Sequence, residues 1–233
     1  MKVVFVADAH SDIAAAERLR DKLLHNHNRA AGKGNVGIKA GNVDLVVVAG
    51  DFTKEGSAKV AAEILDALSF ARVLAVPGNM DSREVIGLLN EGGVNLHKET
   101  VEVGGFVFAG LGGAKPVNTY YRVNTGELEA EKYLAKMLEG CEGKRTVLVA
   151  HSPPFGTSLS RTAAGHDLGM RAIRGAIEKF TPLLFVCGHV HEAKGSEMLG
   201  ETLCINTGAL KDGNAVMVEL EEGKKPKVEW IGF

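Results

Sequence analysis

Cysteine is scarce in this chain, with three residues in 233, and no two of them stand in a CxxC pair. Cys141, Cys187 and Cys204 are far apart and odd in number, which excludes the disulfide framework of a small secreted domain. Cys187 and Cys204 lie in apolar stretches typical of strands, where a thiol packs as a small core side chain. We therefore expect a cytoplasmic protein without structural disulfides.

Long hydrophobic runs and clusters of basic residues are also missing. The apolar run in MKVVFVADAH is too short for a signal sequence or a membrane span, and we interpret it as a first strand. The formal net charge is -2 and the basic residues are scattered, which argues against a nucleic-acid-binding surface. The sequence therefore indicates neither membrane nor nucleic-acid partners.

The remaining composition is that of a globular domain, with 45% hydrophobic and 24% charged residues. A chain of 233 residues suits one large α/β domain, so we predict a single domain over residues 1–233. Residues 26–42 are polar, rich in glycine and without periodicity. We predict that they form a flexible surface loop away from the functional site.

Five short apolar runs each end at residues that bind metals well. The runs contain four to seven residues, rich in Val, Leu and Phe, as is typical of strands buried on both faces. Ligands gather beyond the carboxyl ends of strands in α/β sheets, so these positions should converge. The residues that follow the five runs are Asp8 and His10, Asp51, Asn79, His151, and His189 and His191. The pattern predicts a metal site, and we expect it to hold two ions.

The order of elements predicts the fold. Strands and helices alternate in the first half, where Ser57 and Ser82 stand at the starts of two amphipathic helices. The second part is richer in short strands, and Gly104 and Gly105 mark a hairpin turn. We predict an α/β fold with two stacked mixed β-sheets flanked by helices, a four-layer α-β-β-α sandwich.

The chemistry of the donors narrows the class of metal. They are imidazole, carboxylate and amide groups without thiolate, which favours an open catalytic site for Mn, Fe, Zn, Co or Ni over structural zinc. Gly50, Gly78 and Gly188 lie beside the donors, where we expect a sharp turn and a close approach of the backbone.

Five motifs in order carry a family resemblance. They are Asp-x-His at 8–10, GDFTKEG at 50–56, Gly-Asn-x-Asp at 78–81, His151, and GHVH at 188–191. Any one of them is weak alone, but together they make a strong signal. Over positions 8–191 the chain resembles the calcineurin-like metallophosphoesterases. The resemblance implies a two-sheet sandwich and hydrolysis of phosphate esters at a dinuclear metal centre.

Positions in the motifs assign the roles that the resemblance implies. Asp8, His10 and His191 are expected to hold one ion, and Asn79, His151 and His189 the other, with Asp51 bridging both. Asp51 and His151 are accordingly the expected catalytic residues, and manganese is the first expectation for both ions. Two such ions neutralise phosphoryl oxygens and lower the pKa of a bridging water from 15.7 to roughly 7, giving hydroxide for in-line attack.

One position departs from the family pattern. Many members have His after the motif Asn, where this chain has Met80. In the family this His is thought to stabilise the transition state or protonate the leaving group, and a thioether has no proton to give. Resembling enzymes without it tend to be described as phosphodiesterases. We therefore expect a preference for diesters or for good leaving groups.

Other polar residues receive weaker assignments. Asp81 is expected to accept hydrogen bonds behind the ion ligands, and Asn206 resembles a family turn near the metals. His166 could reach the cleft and replace the missing acid, although a loop histidine that caps the next helix is the favoured interpretation. We expect His97 to be a solvated surface residue.

The leading interpretation is a phosphoesterase that acts on a small phosphoester, with diesters favoured. The alternatives are a phosphomonoesterase or protein phosphatase, a non-catalytic metal-binding scaffold, and a nucleotide sensor. A scaffold is disfavoured because all seven ligand positions carry competent donors.

Overall fold

Two mixed β-sheets form the centre of the computed structural model, which describes residues 1–25, 43–54, 56–116, 122–141 and 145–233. The predicted loop at 26–42 lies outside the described residues. The strands are β1 (Lys2–Val6), β2 (Leu45–Ala49), β3 (Arg72–Val76), β4 (Thr100–Val103), β5 (Phe106–Leu111), β6 (Thr146–Ala150), β7 (Leu184–Cys187), β8 (Gly195–Leu199), β9 (Thr202–Asn206), β10 (Asn214–Glu219) and β11 (Lys227–Gly232). The helices are α1 (Ile13–His25), α2 (Ala58–Leu68), α3 (Arg83–Glu91), α4 (Glu127–Leu138) and α5 (Arg171–Phe180).

Strand order places the five predicted buried strands in the parallel part of the two sheets. The first sheet has the order β11-β10-β1-β2-β3, and the second has the order β4-β5-β6-β7-β9-β8. β1, β2 and β3 are parallel neighbours, and so are β6 and β7. The carboxyl ends of β1, β2 and β3 therefore lie at one edge of the first sheet, and those of β6 and β7 at one edge of the second.

The two sheets pack face to face with helices outside. Along β1, Val3 and Phe5 enter the core between the sheets, whereas Val4 and Val6 pack towards α1 and α2. This alternation explains why the runs are apolar at every position, since both faces of each strand are buried. α4 and α5 cover the outer face of the second sheet. The predicted four-layer sandwich is confirmed.

Local predictions are confirmed with one exception. The Ser57 hydroxyl caps α2 by accepting from the backbone N–H of Val60 at 3.5 Å, and the Gly-Gly turn joins β4 and β5 as an antiparallel hairpin. Ser82 precedes α3, but its hydroxyl instead donates to the carbonyl of Gly56 at 2.7 Å. It ties two loops together and does not cap the helix.

The remaining composition-based expectations concern membranes and cysteines. Among the helices of the described residues, none has the length and apolar character needed to cross a bilayer. Cys187 on β7 and Cys204 on β9 are fully buried in the core beneath α4 and α5, as predicted.

Candidate metal centre

The loops after the five strands meet at one edge of the sandwich. The backbone N–H of Asp8 donates to the carbonyl of Gly50 at 2.9 Å, which joins the loops after β1 and β2. The N–H of Gly188 donates to the carbonyl of His151 at 3.2 Å, which joins the loops after β7 and β6. The backbone N–H of His189 donates to Asp8 Oδ2 at 2.9 Å, so the two sheets are also connected here.

Left-handed backbone marks four of the seven predicted ligands. These are Asp8, His10, Asp51 and His189, with φ between 46° and 71°. L-residues pay an energetic cost in this region, and such residues cluster at functional sites where the surroundings hold them in place. The conformation turns the chain sharply at the strand end and aims each side chain at the shared edge.

Glycine is required where the backbone passes the carboxylates. A Cβ atom on Gly78 would lie 2.0 Å from Asp51 Oδ1, and one on Gly188 would lie 2.4 Å from Asp8 Oδ2. No side chain fits at either point. The expected close approach therefore occurs, and the contacting groups are the ligand carboxylates.

The first group of donors consists of Asp8, His10 and His191. Their nearest atoms are Asp8 Oδ1 and the two Nε2 atoms, with 3.0 Å between the nitrogens and 3.6 and 3.4 Å from the oxygen to His10 and His191. Metal–ligand bonds of 2.0–2.2 Å place neighbouring ligands roughly 2.8–3.6 Å apart in octahedral or tetrahedral geometry. The spacing of these three atoms fits a divalent cation.

Asp51 faces both halves of the site. Its Oδ2 lies 3.7 Å from His10 Nε2 and 3.4 Å from His151 Nε2. Its Oδ1 accepts the backbone N–H of Met80 at 2.8 Å, which fixes the plane of the carboxylate. One carboxylate oxygen thus stands between donors from both predicted groups.

The second group contains Asn79, His151 and His189. His151 Nδ1 lies 2.8 Å from the Ala49 carbonyl, so that nitrogen carries a proton and Nε2 is the nitrogen that faces the site. Nε2 lies 2.9 Å from the amide oxygen of Asn79, and the His189 ring packs edge-on against His151 with centroids 5.0 Å apart. Two acceptors at such a distance need a cation or a proton between them.

The pKa values of the histidines show how strongly the two carboxylates of the site favour positive charge. Burial opposes charge on His151, but Asp51 and Asp8 outweigh it and raise the pKa of His151 to about 9. Burial and the nearby His151 lower the pKa of His189 to about 4, and burial lowers that of His10. Interaction with the Asp8 carboxylate raises the pKa of His191. The two carboxylates therefore call for positive charge, which a metal ion also supplies.

Asp81 lies behind the predicted ligands. Its carboxylate accepts the backbone N–H groups of Phe52, Thr53 and Gly78 at 3.2, 2.9 and 2.8 Å, and the Thr53 hydroxyl at 3.0 Å. Burial first, and then the negative charge of Asp51, raise its pKa to about 7. The structure places Asp81 as the side chain that ties the loop after β2 to the loop after β3.

Asn206 supports the loop that carries His189 and His191. It is fully buried, and its Nδ2 donates to the carbonyls of Leu159, Gly188 and Val190 at 3.2, 3.3 and 2.9 Å. The hydrogen bonds to Gly188 and Val190 thus hold the backbone of this loop in place.

Of the four histidines outside the predicted ligand set, the structure describes the side chains of His97 and His166. His166 is exposed in the turn at 162–167, and the first N–H groups of α5, from Arg171 and Ala172, are capped by the Glu127 carboxylate. The expectation for His97 was wrong, because it is 8% exposed and its Nδ1 accepts the N–H of Gly112 at 2.8 Å. Burial lowers its pKa to about 4, so the ring is a neutral structural acceptor.

A cavity of about 340 Å³ opens over the donors. It is lined by His10, Lys54, Met80, His191 and Lys211. The two lysines were not singled out from the sequence, although Lys54 lies inside the GDFTKEG motif. Nothing in the local sequence around Lys211 links it to a site that assembles around distant residues.

Comparison with known proteins gives a family and a fold. A sequence model described as calcineurin-like phosphoesterase matches residues 1–193. The uncharacterized protein MJ1162 of Methanocaldococcus jannaschii is 32% identical over 171 residues, covering 70% of this chain and 76% of that protein. The crystal structure of TT1561 of Thermus thermophilus covers 99% of this chain and 98% of its own, with a TM-score of 0.73 and 18% identity. A dimetal phosphatase from Danio rerio has a TM-score of 0.66 and 16% identity, covering 100% of this chain and 96% of its own.

Proposed function

This chain belongs to the calcineurin-like phosphoesterases, a family of metal-dependent phosphoester hydrolases, and we propose that it hydrolyses phosphodiesters with two divalent cations. The donors at the strand ends and the cavity over them support this proposal.

One observation carries the metal assignment. Asp8 Oδ1 is fully buried and accepts no hydrogen bond from the residues that the structure describes, while the Nε2 atoms of His10 and His191 lie 3.6 and 3.4 Å from it. An unpaired buried charge is costly, and buried polar atoms in native proteins are nearly always satisfied. A cation among these three atoms satisfies the oxygen and both nitrogens at once.

The proposed ligand set divides the donors into two groups. Asp8, His10 and His191 hold one ion, Asn79, His151 and His189 hold the other, and Asp51 bridges them. The distances from Asp51 Oδ2 to both groups support this bridge. Manganese is the first choice because the carboxylate and amide oxygens suit it and the set contains no thiolate. Iron, zinc, cobalt or nickel are the alternatives.

The chain's own groups prepare the ligands for this role. When bound, two divalent ions neutralise the phosphoryl oxygens and lower the pKa of a water molecule between them. The Ala49 carbonyl fixes the tautomer of His151, so that Nε2 points at the site with its lone pair. The backbone N–H of Met80 holds Asp51 Oδ1 and leaves Oδ2 for the ions. We propose Asp51 and His151 as the catalytic pair on these grounds.

The diester preference rests on Met80. Its side chain lines the cavity, and a thioether gives no proton to a leaving group. The cavity of about 340 Å³ has room for a small substrate. We expect bis(p-nitrophenyl) phosphate to be hydrolysed faster than p-nitrophenyl phosphate. A faster rate on the monoester would support the phosphomonoesterase alternative and end the diester proposal.

The test of the metal centre uses an isosteric substitution. Asp51→Asn is expected to lower kcat/KM on bis(p-nitrophenyl) phosphate under manganese by more than the roughly 10–100-fold lost with an outer hydrogen bond. Bound metal, measured by elemental analysis, should fall below two ions per chain. Asp66→Asn makes the same exchange at an exposed residue of α2 and is the matched control. An Asp51→Asn protein as active as the control would overturn the bridge.

A further inference from the structure

The cavity over the candidate metal centre carries two lysines that the proposed ion binding does not use. Lys54 and Lys211 line it together with His10, Met80 and His191. Within the part of the chain that the structure describes, neither ammonium group is engaged in an ion pair or a side-chain hydrogen bond. Both positive charges therefore remain for a ligand.

Backbone hydrogen bonds fix both lysines beside residues 8–11. The N–H of Lys54 donates to Ser11 Oγ at 3.1 Å, and the N–H of Lys211 donates to the carbonyl of Asp8 at 3.4 Å. Lys211 is half-buried and Lys54 is exposed. The cavity thus has an inner and an outer cation in addition to the ions that the ligands hold.

Met80 limits the leaving groups that this cavity can serve. An alkoxide is about as basic as hydroxide, whose conjugate acid has a pKa of roughly 15.7, and it needs a proton as it departs. A phosphate monoester is a much weaker base, since its second pKa is about 6, and it can depart without receiving a proton. Its negative charge grows as it leaves, and ammonium groups stabilise that charge through charge-assisted hydrogen bonds. Two lysines and no acid at the position of Met80 match a phosphate leaving group.

We propose that the substrate class is a phosphoanhydride diester, in which two phosphates share one oxygen and each carries an organic group. Lys54 and Lys211 bind the phosphate that leaves. Water oxygen bonds to one phosphorus, the bond from that phosphorus to the shared oxygen breaks, and the electron pair stays on the shared oxygen. Two phosphate monoesters result, and both protons of the water pass to the products or to solvent. This inference rests on the proposed hydrolase function.

A matched pair of probes tests the substrate class. Di(adenosine-5') diphosphate and adenylyl-3',5'-adenosine contain the same two nucleosides joined by an anhydride or by an ester. With the manganese-loaded protein we expect kcat/KM for the anhydride to exceed that for the ester by at least about 100-fold. Bis(p-nitrophenyl) phosphate reports the hydrolase function separately.

Two variants test the lysines. Lys211→Gln and Lys54→Gln should each lower kcat/KM on the anhydride by about 10–100-fold, as expected for a hydrogen bond to a charged group. The loss on bis(p-nitrophenyl) phosphate should be at least about 10-fold smaller, since that substrate has no second phosphate. Lys132→Gln on the exposed face of α4 is the matched control.

The outcomes separate the two levels of the proposal. If bis(p-nitrophenyl) phosphate is hydrolysed but the anhydride is not, or the ester is hydrolysed as fast as the anhydride, the substrate class is overturned and the hydrolase function stands. Equal losses on both substrates in the lysine variants overturn the role of the lysines. If neither the two probes nor bis(p-nitrophenyl) phosphate is hydrolysed, the hydrolase function is overturned as well.

Discussion

Gly78→Ala tests whether the position of Asp51 depends on a glycine in a neighbouring loop. The new Cβ would lie 2.0 Å from Asp51 Oδ1 and 2.2 Å from the Asp51 backbone nitrogen, where distances below 3.0 Å are essentially never seen. Rotation of the Asp51 side chain relieves only the first contact. The backbone of one loop must therefore move by about 1 Å, a displacement that can cost about 100-fold in rate at an active site.

The expected result is a loss of about 100-fold in kcat/KM on bis(p-nitrophenyl) phosphate, equivalent to about 2.7 kcal/mol of transition-state stabilisation. Metal content should fall in parallel, because the carboxylate that is proposed to bridge the ions moves with its loop. Thermal unfolding by circular dichroism shows whether the variant is folded under the assay conditions.

Gly87→Ala is the matched control, because nothing lies within 4 Å of a Cβ built at this position in α3. Alanine is the better helix former by roughly 0.5–1 kcal/mol, so the control should unfold at a slightly higher temperature with unchanged activity. A Gly78→Ala protein with the activity and metal content of this control would refute the reasoning.

Three further predictions concern other parts of the site. Asn206→Asp replaces the donor to three carbonyls with a carboxylate oxygen, and we expect the free energy of unfolding to fall by about 3 kcal/mol in urea titrations, with weaker metal binding; unchanged stability would contradict the role of the amide. In the metal-free protein, prepared with a chelator, folding raises the pKa of His151 from 6.5 to about 9. The contribution of His151 to the free energy of unfolding is therefore fully present below pH 6.5 and is lost as the pH rises through about 9. The unfolding free energy of the metal-free protein should fall by about 3 kcal/mol over this range, and His151→Asn or saturating manganese should abolish the fall; a flat profile in chelator would contradict the assignment. Met80→His restores a proton donor at the cavity, so hydrolysis of alkyl phosphodiesters should rise by about 10-fold or more relative to bis(p-nitrophenyl) phosphate, and an unchanged ratio would show that Met80 does not set the preference.

The sequence predicted the fold because its signals are local. Val3, Val4, Phe5 and Val6 are apolar at every position, which is the pattern of a strand with two buried faces, and the structure packs alternate members of this run into different cores. Glycine and polar donors follow such runs at once, so strand ends and candidate ligands can be recognised without knowledge of any partner strand.

Other features escaped because their cause is not local. His97 stands in a polar stretch of sequence, but its ring is buried and accepts a hydrogen bond from the N–H of Gly112, which lies 15 residues away in the chain. The Ser82 hydroxyl could cap the helix that it precedes or donate to another acceptor. It donates to the Gly56 carbonyl because the fold of the neighbouring loop places that carbonyl within reach. Lys211 is distant in sequence from Asp8, and only the pairing of β10 with β1 brings it to the cavity.

The sequence by itself determined the layers of the fold, the identity of the donors and their place at the ends of strands, because hydrophobic period and glycine placement act within a few residues. Only the tertiary structure decided which donors face each other, which buried oxygen is left without a partner, and which lysines share the cavity with Met80. Those distances depend on strand order and on left-handed backbone at the strand ends, which are set jointly by segments far apart in the chain. His10 and His191, for example, are separated by 181 residues.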